Sequence, residues 1–275
     1  MKKINLLLLL LVLFMQPAIA QQNSNKELDW KLGAQAYTFK NFTFAEALDK
    51  ISSINLKYVE AYPGQEIGNG IEGTMHYGMN ANTKKRVKKL LDSKGIELVA
   101  YGVVSGENEA DWKELFEFAQ DMGIGIITSE PKKEDLDMVN RLAREYNITV
   151  ALHNHPKPST YWHPDTVLEA LEGRENIKAC ADVGHWIRSG LDPVVNLKKL
   201  EGHIANLHFK DLNEKGSDAH DVPWGTGISN VKAMLKELKR QKFEGLFSIE
   251  YEHNWDNSLP EITKSVEYFN GIVKK

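Results

Sequence analysis

The stretch "IKACADVGHWIRSG" (residues 177–190) changes character within a few residues. It begins with an apolar run that has the length and composition of a buried strand, and this run closes on Asp182. His185 follows three residues later, with Trp186 and Arg188 beyond it. In parallel α/β sheets, polar residues that serve binding or chemistry stand just after the carboxyl end of a strand. The stretch therefore predicts one strand of a parallel sheet with a polar site at its end.

The same pattern recurs along the chain. The predicted strands span residues 32–37, 57–62, 96–102, 124–129, 148–153, 177–182, 204–209 and 246–251. The predicted helices between and after them span residues 44–54, 83–94, 111–122, 132–146, 164–172, 193–200, 231–241 and 259–273. Strands that alternate with helices of this length indicate βαβ units, and eight units in a row predict a single (β/α)8 TIM barrel, an α/β fold with its site at the carboxyl ends of the strands. A doubly wound open sheet is the alternative, which the lack of a G-x-G-x-x-G motif after the first strand disfavours.

Length and composition agree with one barrel domain. The chain has 275 residues, 42% of them hydrophobic and 26% charged, and a barrel of this type takes about 250 residues. We predict one domain over residues 30–275. The formal net charge of −4 argues against a nucleic-acid partner, because nucleic-acid binders carry basic patches.

Residues 1–20 have the pattern of a secretory signal peptide. Lys2 and Lys3 precede an apolar run over residues 6–15, and small residues close the segment at Ala18 and Ala20. Residues 21–29 form a polar lead-in, and an N-terminal membrane anchor is the alternative for the apolar run. Cys180 is the only cysteine, so the run is not followed by a lipid-acceptor cysteine. We expect an exported, periplasmic protein with no stable membrane insertion once the signal is cleaved.

Polar side chains collect at the ends of the predicted strands. They are Glu60, Glu130, His153, His155, Asp182, His185, His208, Lys210, Glu250 and Glu252. Residues i and i+2 of a strand face the same side, so His208 shares a face with Lys210. Carboxylates and imidazoles that converge on a barrel mouth are stable when a cation binds them. The mixture suits one divalent ion, and the imidazole nitrogens favour Mn²⁺, Co²⁺ or Zn²⁺ over Mg²⁺.

Four segments, "ALHNHP" (151–156), "ADVGHWIRSG" (181–190), "LHFKDL" (207–212) and "FSIEYE" (247–252), together resemble the xylose-isomerase-like TIM-barrel superfamily. That group includes sugar isomerases and epimerases, inosose dehydratases and the endonuclease IV branch of DNA repair. The resemblance covers about residues 30–273. It implies one divalent ion, commonly Mn²⁺, bound by Asp182, His208, Glu250 and a fourth ligand. Epimerases of the group supply that ligand as a Glu of the fifth strand, where this chain has His153, so either His153 or Glu130 is expected to complete the set.

Two enzymatic hypotheses share their first step. A sugar isomerase or epimerase would remove the proton α to a metal-bound carbonyl and form an enediolate. His155, Glu250 or an unligated His153 would be the base, and Lys210 and His185 would stabilise charge on oxygen. In the alternative, a lyase or hydratase acts on an oxidised sugar such as a 3-keto-glycoside, and His155 or His185 protonates the leaving group. By the resemblance, His185 corresponds to a histidine that contacts substrate oxygen and not the metal.

Two non-isomerase hypotheses remain. A hydrolase of the endonuclease IV kind would use three metals, and the acidic net charge opposes it; a non-catalytic sugar-binding barrel is the other alternative. For both the isomerase or epimerase and the lyase or hydratase, the expected partner is a small carbohydrate. The sequence is also compatible with a homo-oligomer. The candidate substrate contacts are Glu60, Trp186, Arg188, His220 and Trp224. For the tryptophans the alternative is loop packing, and for Arg188 it is a surface salt bridge.

Overall fold

A computed structural model describes residues 29–273. The predicted signal peptide and most of the polar lead-in lie outside these residues. The strands are β1 (Trp30–Gln35), β2 (Tyr58–Ala61), β3 (Glu66–Gly68), β4 (Ile71–Thr74), β5 (Glu97–Tyr101), β6 (Ile126–Ser129), β7 (Thr149–His153), β8 (Ile177–Asp182), β9 (Ile204–Phe209) and β10 (Gly245–Ile249). The helices are α1 (Phe44–Ser53), α2 (Ala81–Lys94), α3 (Glu109–Met122), α4 (Leu136–Tyr146), α5 (Pro164–Leu171), α6 (Val183–Arg188), α7 (Pro193–Lys199), α8 (Val231–Arg240) and α9 (Leu259–Val273).

Eight of the strands close a parallel barrel. Their order around it is β1, β2, β5, β6, β7, β8, β9 and β10, and β10 pairs with β1 so that Leu32 lies beside Phe247. All eight predicted strands are present, each within a few residues of its expected bounds. The prediction of a single (β/α)8 barrel is therefore confirmed. The doubly wound alternative is wrong, because the sheet closes on itself and has no open edge.

Local sequence explains where the helices begin and end. Thr43 and Glu46 form a reciprocal capping box that starts α1. Helices α2 and α3 end at Gly95 and Gly123, whose φ angles of 61° and 77° lie in the left-handed region that glycine adopts without strain. Each of these two helices therefore ends a few residues before the strand that follows it.

Two regions differ from the sequence prediction. The long loop after β2 contains the antiparallel hairpin β3–β4, and the segment directly after β8 forms the short helix α6. Asp182 caps α6, because its Oδ1 accepts a hydrogen bond of 2.7 Å from the backbone N–H of His185. A helix of six residues carries too little periodicity to be recognised in the sequence.

Apolar side chains fill the space between the barrel and its helices. Trp30, Phe247 and Phe269 pack together with ring centroids 5.0–5.9 Å apart, which joins β1 and β10 to α9. Within residues 29–273, no helix combines the length and apolar character needed to cross a membrane.

A polar layer crosses the inside of the barrel. Its members, each fully buried, are Glu60, Thr128, Asn206 and Ser248. Glu60 accepts hydrogen bonds of 2.6 Å from both Thr128 and Ser248. Since alternate residues of a strand share a face, Asn206 and Ser248 stand one layer below His208 and Glu250. The layer therefore lies directly below the strand-end residues.

Candidate active site

Four buried side chains meet at the carboxyl ends of β7, β8, β9 and β10. His153, Asp182, His208 and Glu250 each contribute one ligand-type atom, and these atoms all lie within 4.8 Å of one another. Parallel register brings them together, because Asp182 pairs with His208 across β8 and β9. Two imidazoles and two carboxylates therefore surround one point at the mouth of the barrel.

The donor atoms of this cluster fit a divalent cation. His153 Nε2, Asp182 Oδ2, His208 Nδ1 and Glu250 Oε2 are buried and make no regular hydrogen bond, and the two carboxylate oxygens are ion-paired with the Lys210 ammonium. A buried ring nitrogen without a hydrogen bond costs about 1–3 kcal/mol. A cation bound by these atoms would remove that cost. Two nitrogens and two oxygens suit Mn²⁺, Zn²⁺ or Co²⁺ better than Mg²⁺.

Glu60 supports the cluster from below. Its Oε2 lies 3.1 Å from His208 Nε2, while His208 Nδ1 lies 3.1 Å from Glu250 Oε2. Burial raises the pKa of Glu60, but the neighbouring His208 outweighs burial, and the net pKa lies below its ordinary value. The assignment of Glu60 to substrate binding does not match this position, because the side chain is 0% exposed and its oxygens face protein groups. Glu60 orients a histidine of the cluster instead.

Glu130 lies behind His153 and outside the group of four. Its Oε1 is 2.9 Å from His153 Nδ1 and also contacts His155 Nδ1. Burial opposes ionisation, but the hydrogen bonds with both histidines outweigh it and lower the pKa of Glu130 to about 2. Of the two alternatives for the fourth ligand, the geometry brings His153 into the cluster. Glu130, His153 and His155 form a second, more exposed group whose ligand-type atoms also lie within 4.8 Å.

Lys210 places a buried ammonium beside the cluster. Its Nζ lies 3.0 Å from Asp182 Oδ2, 2.8 Å from Glu250 Oε2 and 2.7 Å from Glu252 Oε2. Burial alone lowers the pKa of Lys210, but these carboxylates raise it well above its ordinary value. Gly184 makes room for the stem, since a Cβ there would lie 2.7 Å from Lys210 Cδ. Lys210 is therefore a fixed positive charge and not a base.

His185 presents a defined donor next to the cluster. Its Nδ1 lies 3.3 Å from Arg188 Nη1, and its Nε2 lies 3.4 Å from Asp182 Oδ2. A guanidinium only donates, so Nδ1 accepts and the proton of the neutral ring stands on Nε2. Burial lowers the pKa of His185 well below its ordinary value, which keeps the ring neutral. His185 is not one of the four clustered residues.

A pocket of about 260 Å³ opens above these groups. Its lining includes three histidines and two carboxylates, His153, His155, His185, Glu250 and Glu252. The rest of the lining is Gln35, Tyr37, Tyr62, Pro63, Gly102 and Val103. The sequence patterns assigned no role to Gln35, Tyr37, Tyr62, Pro63, Gly102 and Val103, and they identified Glu252 only as a strand-end residue. Tyr62 and Glu252 stand at or just after a predicted strand end, and applying the strand-end rule to aromatic as well as titratable residues would have found Tyr62.

The remaining predicted substrate contacts lie elsewhere. Trp186 and Trp224 are buried in the apolar core, and Trp224 packs against Phe209 with ring centroids 4.9 Å apart. Their assignment to sugar contacts does not match these positions, because neither ring lines the pocket. His220 packs against His253 with tilted rings whose centroids lie 4.4 Å apart.

Arg188 belongs to a buried ionic network at the edge of the pocket. Its guanidinium lies 3.1 Å from Asp221 Oδ2 and 3.3 Å from Glu252 Oε2. Burial raises the pKa of Asp221 to about 6 in spite of the neighbouring lysine and arginine. Arg188 therefore reaches the pocket indirectly, through His185 and Glu252.

These features define a (β/α)8 barrel with a candidate metal centre at the carboxyl ends of its strands. The family model described as xylose isomerase-like TIM barrel matches residues 48–271, and the chain belongs to this family. The resemblance expected from the sequence is thus confirmed. The family includes sugar isomerases, epimerases and inosose dehydratases.

Individual relatives extend the comparison. Inosose dehydratase of Clostridium tetani is 29% identical over 150 residues, which is 47% of this chain and 50% of that enzyme, so this chain spans about half the length of that curated relative. A crystal structure of an uncharacterized protein from Parabacteroides distasonis is 38% identical, with a TM-score of 0.73 over 88% of this chain and 99% of that chain. D-Allulose 3-epimerase from Methylomonas sp. in complex with D-allulose has a TM-score of 0.70 at 12% identity, over 89% of this chain and 97% of that chain. This last likeness shows the fold alone.

Proposed function

We propose that this protein is a divalent-metal-dependent enzyme that removes the proton α to a carbonyl of a carbohydrate, as sugar isomerases and epimerases do. The observation that carries the proposal is that His155 and His185 line the same pocket as His153 and Glu250 of the four-residue cluster. Two imidazoles next to a candidate metal centre provide acid–base groups where a polarised carbonyl would lie.

Each residue has a distinct task in this proposal. A divalent ion held by His153, Asp182, His208 and Glu250 would supply a Lewis acid that polarises the carbonyl, with Mn²⁺ the expected ion. His155 takes the proton from the substrate carbon. His185 donates a hydrogen bond from Nε2 to a substrate oxygen. The ammonium of Lys210 adds a fixed positive charge beside the atoms where negative charge grows. The proton on His155 then returns to the neighbouring carbon while the hydroxyl proton moves to the other oxygen, which yields the isomer; an epimer requires a second group that protonates the first carbon from its opposite face.

A second candidate function is a carbon–oxygen lyase or hydratase that acts on a 3-keto-glycoside or a related oxidised sugar. The rings of His155 and His185 stack with centroids 5.1 Å apart, so both stand on one side of the pocket. His155 can take the α proton and then give it to the oxygen on the adjacent carbon, while the Nε2–H of His185 donates a hydrogen bond to that oxygen. A C–H and a C–O bond break, a C=C bond forms, and an alcohol or water leaves. An epimerase instead needs groups on both faces of one carbon, and Glu250 is held by Lys210 at 2.8 Å.

The experiment is turnover of keto-sugars and 3-keto-glycosides by Mn²⁺-loaded protein in D₂O. Enolisation predicts deuterium at the carbon α to the carbonyl in product or recovered substrate, and loss of a glycosyl group or water identifies the lyase. His155→Ala should abolish exchange, and the matched control His163→Ala, whose ring caps α5 away from the pocket, should retain it. Turnover without deuterium incorporation would overturn the enolisation step.

We also propose that the protein is exported and acts on a sugar without phosphate. The support is the basic start, apolar run and small-residue end of residues 1–20. Phosphorylated sugars are mostly cytoplasmic, so export favours free sugars or glycosides. The test is mass spectrometry of the N-terminal peptide after expression with the full leader. A mature N-terminus just after Ala20 supports export, and an intact Met1 in a membrane fraction would support the anchor alternative.

A further inference from the structure

We propose that Glu130 is a positioning residue shared by two histidines: it determines which ring nitrogen carries the proton in His153 and in His155. It thereby directs a lone pair of His153 at the metal centre and a lone pair of His155 at the pocket. The catalytic part of this inference rests on the proposed function. The statement about the two tautomers stands without it.

The geometry around Glu130 is unusual because one oxygen serves two rings. Glu130 Oε1 lies 2.9 Å from His153 Nδ1 and contacts His155 Nδ1 as well. An ionised carboxylate only accepts hydrogen bonds, so each Nδ1 must donate. In the neutral form of each ring the proton is therefore held on Nδ1, and Nε2 has a free lone pair.

For His153 the consequence is a ligand nitrogen with the correct tautomer. Its ring is buried, and its Nε2 has no hydrogen-bond partner while it faces Asp182 Oδ2 at 3.5 Å within the group of four. A carboxylate on the outer nitrogen of a metal-binding histidine fixes the ring orientation and raises the basicity of the inner nitrogen. Glu130 has the position and charge to do this for His153.

For His155 the consequence is a proton acceptor at the pocket. Its side chain is 48% exposed, and the residue lines the pocket. The stacked ring of His185 has the opposite tautomer, because Arg188 lies at its Nδ1. The pair therefore presents one acceptor, Nε2 of His155, and one donor, the Nε2–H of His185. Acid–base chemistry on a carbonyl compound needs these two complementary groups.

The backbone on both sides of this contact is held. Tyr161 Oη donates a hydrogen bond of 2.7 Å to the carbonyl of Pro131, the residue after Glu130. Ser159 Oγ donates one of 2.8 Å to the carbonyl of His155. Glu130 itself directly follows β6. The carboxylate is thus presented from a rigid strand end and not from a free loop.

A second cation at Glu130, His153 and His155 is the competing explanation of the same geometry. That arrangement requires His153 to bind metal through both nitrogens, one of which already faces Asp182 and the group of four. The neutral ring has a single free lone pair, so it cannot serve both sites without losing its remaining proton. If Glu130 instead accepts a hydrogen bond from each ring, His153 keeps its remaining proton.

The test is imidazole ¹⁵N NMR of Zn²⁺-loaded protein, with Glu130→Gln compared to the matched control Glu134→Gln, an exposed residue of the same segment. The wild type and the control should show Nδ1-protonated tautomers for both His153 and His155. Glu130→Gln should lose that signature for at least one ring and bind Zn²⁺ about 10–100-fold more weakly. Circular dichroism of both variants checks that the fold is retained.

A double-mutant cycle separates the two roles. His155→Ala should leave Zn²⁺ affinity unchanged, and Glu130→Gln should weaken it equally in the wild-type and His155→Ala backgrounds. At saturating metal, Glu130→Gln should still lower kcat, because His155 loses the hydrogen bond that holds its tautomer. The proposal would be overturned if Glu130→Gln kept the wild-type tautomers and Zn²⁺ affinity. It would also be overturned if the wild type bound a second equivalent of Zn²⁺ that Glu130→Gln does not bind. Tautomers and affinity are measured without substrate, so a failure of the proposed reaction is distinguishable from a failure here.

Discussion

His208 Nε2 lies 3.1 Å from Glu60 Oε2, on the side of the ring that faces away from Glu250. One imidazole therefore links the candidate metal centre to the polar layer inside the barrel. The carboxylate of Glu60 is in turn held by Thr128 and Ser248. Glu60 and Glu130 thus act alike, since each places a carboxylate behind one of the two histidines of the cluster.

Glu60→Gln should weaken Mn²⁺ binding by about 10–100-fold and retain the fold, because the amide still accepts hydrogen bonds but no longer carries the charge that orients His208. Glu60→Ala should also lower the free energy of unfolding by about 1–3 kcal/mol, since it leaves buried hydroxyls without an acceptor. Isothermal titration with Mn²⁺ and urea unfolding measure the two effects. Glu66→Gln, an exposed residue of β3, is the control. If Glu60→Gln bound Mn²⁺ as tightly as the wild type, Glu60 would not orient His208 for metal binding.

Purified protein should contain about one divalent transition-metal ion per chain, because the group of four supplies one set of ligands. Asp182→Ala and His208→Ala should each remove the ion, because the three ligands that remain would bind it far less tightly than four. Elemental analysis after dialysis against Mn²⁺ and then buffer measures the stoichiometry. Asp165→Ala, an exposed carboxylate on α5, should keep the full equivalent. Wild-type protein that takes up neither Mn²⁺ nor Zn²⁺ would contradict the metal centre.

Cys180 should be inert to thiol reagents in the native protein. It is fully buried one layer below Asp182, and burial raises the pKa of the thiol to about 11. The unfolded chain ionises first, so the stability of the native state should fall as pH rises from about 9 toward 11, by about 2 kcal/mol. Cys180→Ala should remove that part of the pH dependence. Alkylation at pH 8 measures the reactivity, and rapid labelling of folded protein would contradict the burial argument.

The sequence predicts the barrel and the centre because both depend on local patterns. Short apolar runs mark the strands, and in a parallel barrel all strand ends meet on one face, so Asp182, His208 and Glu250 converge once the fold is known. The short helix α6 escaped prediction, because its six residues are fewer than two helical turns.

Depth within the barrel could not be predicted from the sequence. Glu60 and Glu130 both stand at strand ends, yet Glu60 lies in the layer below His208 while Glu130 lies behind His153. Which layer a side chain occupies depends on the stagger between neighbouring strands, and the register shifts between β2 and β5 next to Glu60. Stagger is a property of several strands together, and no single segment encodes it.

Trp224→Ala should reduce the free energy of unfolding by about 3–5 kcal/mol and leave KM unchanged, because the ring packs in the core against Phe209 and does not line the pocket. Tyr62→Ala should instead raise KM and cause only a small loss of stability, because Tyr62 lines the pocket. Chemical unfolding and steady-state kinetics on the substrate found in the D₂O experiment measure both. A raised KM in Trp224→Ala at unchanged stability would restore this tryptophan as a sugar contact.

Lys210→Met should destabilise chelator-treated protein by about 3–5 kcal/mol, because it removes the ammonium that compensates three carboxylates, those of Asp182, Glu250 and Glu252. Saturating Mn²⁺ should reduce that loss, since Asp182 and Glu250 also belong to the group of four and the bound ion would neutralise their charge. Thermal unfolding with EDTA and with Mn²⁺ measures the difference, and Lys215→Met, an exposed lysine of the following loop, is the control. An equal loss of stability in both conditions would contradict the sharing of carboxylates between Lys210 and the metal centre.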